Sequence, residues 1–197
     1  MLARFAYRVA TEISPRLLWK AGYLWVFKGR RAVAAYKRRV RKGELFPPFL
    51  FLALTSACNL RCRGCWIPNG GPVHSLSRDE VDALIAAGKR QESYFYTLLG
   101  GEPMMYPDLW DVCRRHRDCY FQIITNGTFL SDENVARIRA AGNITPLVSI
   151  DGLEEHNDRR RGEGVLPWFD ERLGRQRRAG DVGDPCELRC KTRSAQE

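Results

Sequence analysis

Four short apolar runs constrain this 197-residue chain more than any other feature: Phe49–Thr55, Tyr94–Leu99, Tyr120–Thr125 and Leu147–Ile150. Each is followed at once by a polar or glycine-containing turn, and runs of this length so bounded read as strands. The stretches between them are amphipathic. Ser77-Arg78-Asp79-Glu80 is a capping box that opens a helix reaching about Ala87. Asp108–His116 reads as a short helix. Ser131 caps a further one, with Asp132 and Glu133 near its positive end, and Gly142 stops it. Such alternation predicts an α/β fold with parallel strands and right-handed crossovers. In that architecture, ligand-binding loops gather at the C-terminal ends of the strands.

The first of those ends carries Cys58-Asn59-Leu60-Arg61-Cys62-Arg63-Gly64-Cys65. Cysteine thiolates are the ordinary ligands of iron–sulfur clusters. Three of them on a four-iron cluster leave one iron open to a small molecule. A structural zinc site calls for four closed ligands, usually in two separated pairs, and Cys62/Cys65 has no second well-formed CxxC pair. The seven cysteines are an odd number with no secretory signal ahead of them, which argues against a disulfide framework.

The CxxxCxxC spacing is followed in order by Gly100-Gly101-Glu102-Pro103, Thr125-Asn126-Gly127-Thr128 and Ser149-Ile150-Asp151-Gly152. Together these resemble the radical S-adenosylmethionine (radical SAM) enzymes, closest in style to the branch of cofactor-, peptide- and hopanoid-modifying members. The resemblance covers residues 50 to about 165. It implies a partial (β/α)6 barrel of about four βα units. It also implies a [4Fe–4S] cluster on Cys58, Cys62 and Cys65, with S-adenosylmethionine chelating the open iron. An electron from a flavodoxin- or ferredoxin-like donor then splits that cofactor into methionine and a 5′-deoxyadenosyl radical, which takes a hydrogen atom from substrate. The substrate is an unidentified small molecule, lipid or peptide. The alternative is a non-catalytic iron–sulfur or metal-binding protein, including an inactive fragment that keeps a cluster.

The other candidate cofactor residues follow from the resemblance. Gly100 and Gly101 let the backbone approach a ligand; their carbonyls, with Glu102, are candidates for the cofactor's ammonium group, and Pro103 stiffens the turn. Asn126 is a candidate for ribose or methionine contacts. Ser149 and Asp151 alternate in a strand and so point the same way, toward cofactor or substrate, although Asp151 capping the next turn is an equal reading. Arg161 is the best candidate for the cofactor's carboxylate. Gly64 stands where the family often has an aromatic residue, so Trp66 is the substitute candidate to cover the cluster or cofactor, against simple core packing. Cys113, Cys119, Cys186 and Cys190 match no auxiliary-cluster pattern and read as buried or incidental thiols.

The net charge of +9 is concentrated at the start: residues 1–42 hold twelve Lys and Arg against one acid, Glu12. Residues 1–45 read as helical, with Ser14 as N-cap and Pro15 at the first helical position. Leu17, Ala21, Leu24 and Trp25 share one face, as do Val33, Tyr36 and Val40. Two readings stay open. The apolar stripe packs on the barrel, or the segment lies as a peripheral contact on an anionic membrane. Nucleic acid is not an expected partner. No run approaches a membrane span, and the expected location is the cytoplasm, with membrane-peripheral placement second.

The expected organisation is a basic amphipathic helical extension over 1–46, a core over 47–165, and a basic, weakly structured segment over 166–197. A six-strand barrel needs two more βα units than are legible here. The expectation is therefore a C-terminally truncated member, or a domain completed by another polypeptide.

Overall fold

The computed structural model of the protein describes residues 14–67 and 71–165. Cys186, Cys190 and the segment 166–197 lie outside them, as do residues 1–13. The chain opens with α1 (Pro15–Ala21), a π-helical segment (Gly22–Lys28) and α2 (Gly29–Arg41). Then come β1 (Phe49–Thr55), α3 (Arg78–Arg90), β2 (Phe95–Gly100), a 3₁₀ turn (Pro103–Met105) and α4 (Leu109–Arg115). The remainder is β3 (Tyr120–Thr125), α5 (Asp132–Ala141), β4 (Ile144–Val148) and α6 (Glu154–Arg161). The four strands form one parallel sheet in sequence order, so the α/β partial-barrel class holds.

Local chemistry sets the boundaries. Ser77 and Glu80 close a full capping box at the start of α3. Ser131 accepts from the Asn134 amide at the start of α5, and Gly142 ends that helix in the left-handed region at φ 66°. One face of the sheet packs on α3, α4 and α5 through Leu52, Leu54, Val81, Ile85, Leu98 and Phe121, all buried. Burying each such side chain contributes about 1.5–3 kcal/mol. Phe49, Phe51 and Leu147 point the other way and are about half exposed. With Trp25, Phe95 and Tyr120, Phe49 and Phe51 line a cavity of about 790 Å³ between the sheet and the N-terminal helices.

Two expectations need correction. β4 begins at Ile144, three residues before the expected Leu147, and closes at Val148. Buried Asn143 fixes that start by donating its side-chain amide to the carbonyls of Cys113, His116 and Cys119 at 3.0–3.3 Å. Pro146 is accepted because β4 is the last strand of the described sheet, where a missing N–H costs no ladder bond. Ser149 and Asp151 therefore sit past the strand rather than alternating within it.

The N-terminal helices also depart from a uniform 3.6-residue phase. The π segment widens one stretch of the helix, so that Leu24, Ala32 and Ala35 are buried while Val33 and Val40 are exposed. Helix ends at Arg41, not at residue 45.

Candidate functional site

The cysteine loop leaves the C-terminal end of β1 under tight control. Thr55 forms an isolated antiparallel bridge with Ser75, and their hydroxyls lie 2.7 Å apart. The Ser56 amide donates to the His74 carbonyl, and the His74 amide donates back to Ser56 Oγ. Beyond this neck the Leu60 amide donates to Cys58 Sγ at 3.4 Å, and the Cys65 amide donates to the Cys62 carbonyl at 3.3 Å. Cys58, Cys62 and Cys65 are free thiols, the first two half-buried and the third exposed. Desolvation pushes the Cys58 thiol above its ordinary value, and nearby Glu102, Cys62 and Cys65 add to the rise. Gly64 has φ +69° with open space around its α-carbon. Only backbone conformation demands glycine there, which explains why an aromatic side chain is missing from that position.

The motif after β2 is pressed against the same loop. Gly101 N–H donates to the Thr55 carbonyl at 2.8 Å, and Glu102 N–H donates to the Ala57 carbonyl at 2.7 Å. A Cβ on Gly100 would fall 2.2 Å from Thr55 O, and one on Gly101 the same distance from Ala57 O. The close approach that these glycines permit is thus to the chain's own backbone. Glu102 is fully buried. Its carboxylate accepts from Thr125 Oγ1 at 2.8 Å, from the Asn126 amide at 2.8 Å and from the Met104 amide at 3.1 Å. Burial raises its pKa against the lowering by those three bonds. Pro103 is buried at the start of the 3₁₀ turn.

After β3, Asn126 completes a small polar ring. Its Nδ2 donates to Asn59 Oδ1 at 2.9 Å, and its Oδ1 accepts from both the amide and the hydroxyl of Thr128. Asn59 Nδ2 closes the ring by donating to Thr128 Oγ1 at 2.9 Å. After β4, the Ser149 amide extends the ladder by donating to the Thr125 carbonyl. Asp151 accepts from Arg161 Nε at 2.6 Å and from Arg160 Nη1. Arg160 in turn holds the cysteine loop, since the Arg63 amide donates to the Arg160 carbonyl at 2.8 Å.

The structure therefore brings the turns after β2 and β3 and the end of α6 onto one loop, each at a different part of it, and the turn after β4 joins through Asp151, which pairs with Arg160. Glu102 and Asn126 act within this assembly as ties between turns, and Arg161 is engaged by Asp151. Trp66 is 66% exposed and belongs to no core. Asn59, Thr125, Thr128 and Arg63 were not among the expected site residues, although they lie inside the cysteine run and the motif at the end of β3. Their bonding is not legible there, because Asn59 meets Thr128, Thr125 meets Glu102 and Arg63 meets Arg160 from far along the chain.

The donor set fits a [4Fe–4S] cluster: three free thiols on one short loop, with a backbone amide already directed at one sulfur.

Comparison with known proteins agrees with this architecture. The chain is 35% identical over 125 residues to an AdoMet-dependent heme synthase of Methanosarcina barkeri, covering 59% of this chain and 35% of that protein. It is 30% identical over 143 residues to the mycofactocin maturase MftC of Mycobacterium tuberculosis, covering 70% of this chain and 36% of the relative. It thus spans about a third of the length of these curated relatives. Among solved structures, Streptococcus suis SuiB bound to its precursor peptide SuiA superposes with a TM-score of 0.55 at 23% identity, over 72% of this chain and 34% of that one. SuiB bound to S-adenosylmethionine gives the same score. The radical SAM superfamily model matches residues 52–180. With two-thirds of its length under that match and its strand-end motifs assembled on a three-cysteine loop, the chain belongs to the radical SAM superfamily.

Proposed function

We propose that this protein binds a [4Fe–4S] cluster through Cys58, Cys62 and Cys65 and acts as a radical SAM enzyme. The observation that carries this reading is the convergence on the cysteine loop of the turns after β2 and β3, through Gly101 and Glu102 and through Asn126, and of the end of α6, through Arg160. When bound, the cluster and S-adenosylmethionine supply reductive carbon–sulfur homolysis and a 5′-deoxyadenosyl radical for hydrogen abstraction.

The chain's own residues have separable tasks. The Leu60 amide stabilises negative charge on the Cys58 sulfur. Glu102 locks the turns after β2 and β3 to each other, so the loop is held from two sides. Gly100 and Gly101 place their turn directly on the loop's backbone. Asn126, Ser149, Asp151 and Arg161 are the polar groups proposed for the cofactor, with Trp66 as an exposed cover. For Arg161 to serve a cofactor carboxylate it must exchange its bond with Asp151 for one with the ligand.

The reading includes a flavodoxin- or ferredoxin-like reductant and a small-molecule, lipid or peptide substrate. It takes residues 47–165 as the core, residues 1–46 as a basic helical extension that makes a peripheral membrane contact through residues 1–42, and residues 166–197 as a basic, weakly structured segment. Anaerobic reconstitution with iron and sulfide, followed by reduction with S-adenosylmethionine present, tests the chemistry. The expected product is 5′-deoxyadenosine, lost together with iron when Cys58, Cys62 or Cys65 becomes alanine. Unchanged iron content in those three variants would overturn the proposal.

A further inference from the structure

We infer that the helical segment over residues 14–42 is a bilayer-docking surface for anionic phospholipid, placed to hold the cysteine loop facing away from the lipid. This deepens the peripheral contact proposed above and is independent of the radical chemistry, because its test needs no cluster.

The first observation is a ridge of large apolar side chains left exposed among the described residues, flanked by Lys28 over the Tyr23 ring and Arg31 over the Phe27 ring. Trp19 is 78% exposed, Val26 60% and Phe27 52%, and Leu18 and Tyr23 are also exposed. The Tyr23 and Phe27 rings stack at 5.7 Å, giving an aromatic strip one helical turn after another. Large apolar side chains grouped in this way mark interaction surfaces, and Trp and Tyr suit the boundary between headgroups and acyl chains.

The second observation is charge. Between Ser14 and Gly43 there are ten Lys and Arg and no Asp or Glu. Part of that charge is used internally. Arg31 and Arg38 pair with Glu92, Arg39 donates to the Gln91 carbonyl, and Arg16 and Lys20 donate to the carbonyls of Ala140 and Ala141. Arg30, Lys37, Arg41 and Lys42 remain exposed, Arg30 and Lys37 at the mouth of the cavity against the sheet. Of the neighbouring acids, Glu92 is neutralised by Arg31 and Arg38, which leaves exposed Glu44 beside an excess of cations. An apolar ridge continued by cations complements anionic lipid.

The third observation fixes orientation. Gln91, Glu92, Ala140 and Ala141 all precede strands, and Trp25 packs edge-on against Phe95 and Tyr120, the first residues of β2 and β3. The helices therefore lie across the N-terminal edge of the sheet. The cysteine loop is at the opposite edge, a strand length or about 20 Å away. A bilayer under the ridge thus tethers the protein while the loop opens away from it, so substrate does not enter the site from that membrane.

The test is flotation of the full chain with vesicles of phosphatidylcholine, with and without phosphatidylglycerol. The expected result is binding to the anionic vesicles that weakens at least tenfold without phosphatidylglycerol or in high salt. The paired variant Trp19→Ser/Phe27→Ser should bind at least tenfold more weakly, with unchanged circular dichroism. If that variant misfolds, brominated lipid should quench wild-type fluorescence more than that of Trp19→Phe. No flotation with anionic vesicles at low salt, equal binding to neutral ones, or quenching unaffected by Trp19→Phe would each overturn the inference.

Discussion

Asn126 donates its side-chain amide to Asn59 Oδ1 at 2.9 Å, joining the turn after β3 to the residue that directly follows the first cysteine. Through that bond and its return from Asn59 to Thr128, the loop is fixed just after its first cysteine by groups outside it. Asn126→Ala removes the bond to Asn59 and two bonds from Thr128. The expected loss is about 1–2 kcal/mol of unfolding free energy, at roughly 0.5–1.5 kcal/mol per bond with partial replacement by water. Urea unfolding with unchanged slope is the measurement; a midpoint equal to wild type would remove Asn126 as a tie.

Glu102 gives a pH signature with a definite sign. Burial raises its folded pKa above the ordinary glutamate value, so the native state binds the proton more readily than the unfolded chain. Its contribution to stability is greatest below the unfolded value of 4.5 and is lost as pH rises through the folded pKa. Glu102→Gln should flatten that part of the stability profile. Glu102→Ala strands the amides of Met104 and Asn126 and should cost about 3 kcal/mol or more. Thermal melts across mildly acid to neutral pH check both, and a wild-type slope retained in Glu102→Gln would contradict the assignment.

The glycines separate steric from conformational need. Gly101→Ala places a methyl group 2.2 Å from the Ala57 carbonyl oxygen, so it should displace the cysteine loop and reduce iron uptake on reconstitution severalfold. Gly64→Ala meets no atom but holds φ +69°, and should cost only about 1–2 kcal/mol. Gly71→Ala has neither problem and serves as the neutral control. Iron per chain and melting temperature, taken together, should rank the three in that order.

The thiols should differ sharply in reactivity. Cys113 and Cys119 are buried, and burial raises both thiols, Cys119 to about 12. Under mildly alkaline native conditions iodoacetamide should label Cys65 first, Cys58 more slowly, and leave Cys113 and Cys119 unmodified until denaturant is added. Peptide mass spectrometry resolves each site. Rapid native labelling of Cys113 would show that α4 opens readily.

Elements whose signals are local were legible from residue order. β1 and β3 fall on the expected residues because their apolar runs end at polar turns, and the capping box at Ser77/Glu80 and the stop at Gly142 depend only on near neighbours. The start of β4 was obscured because Pro146 argues against a strand unless its place in the sheet is known. Burial of Ala32 and Ala35 in place of Val33 and Val40 was hidden by the π segment, which shifts the helical phase without a distinctive composition. In the site, cysteine spacing was readable, but the bonding of Glu102 was not, since Thr125 and Asn126 meet it only after β2 and β3 pair.

The cations that reach the ends of α3 and α5 have a practical bearing. Arg39 meets the Gln91 carbonyl just past α3, and Arg16 and Lys20 meet the carbonyls that finish α5, where positive charge offsets the helix dipole. A trimmed version starting at Phe49 would keep every motif yet leave those termini uncompensated and strip the cover from Phe95 and Tyr120. The opening helices are thus the floor on which the cysteine-bearing edge stands, and their removal would weaken the scaffold beneath it.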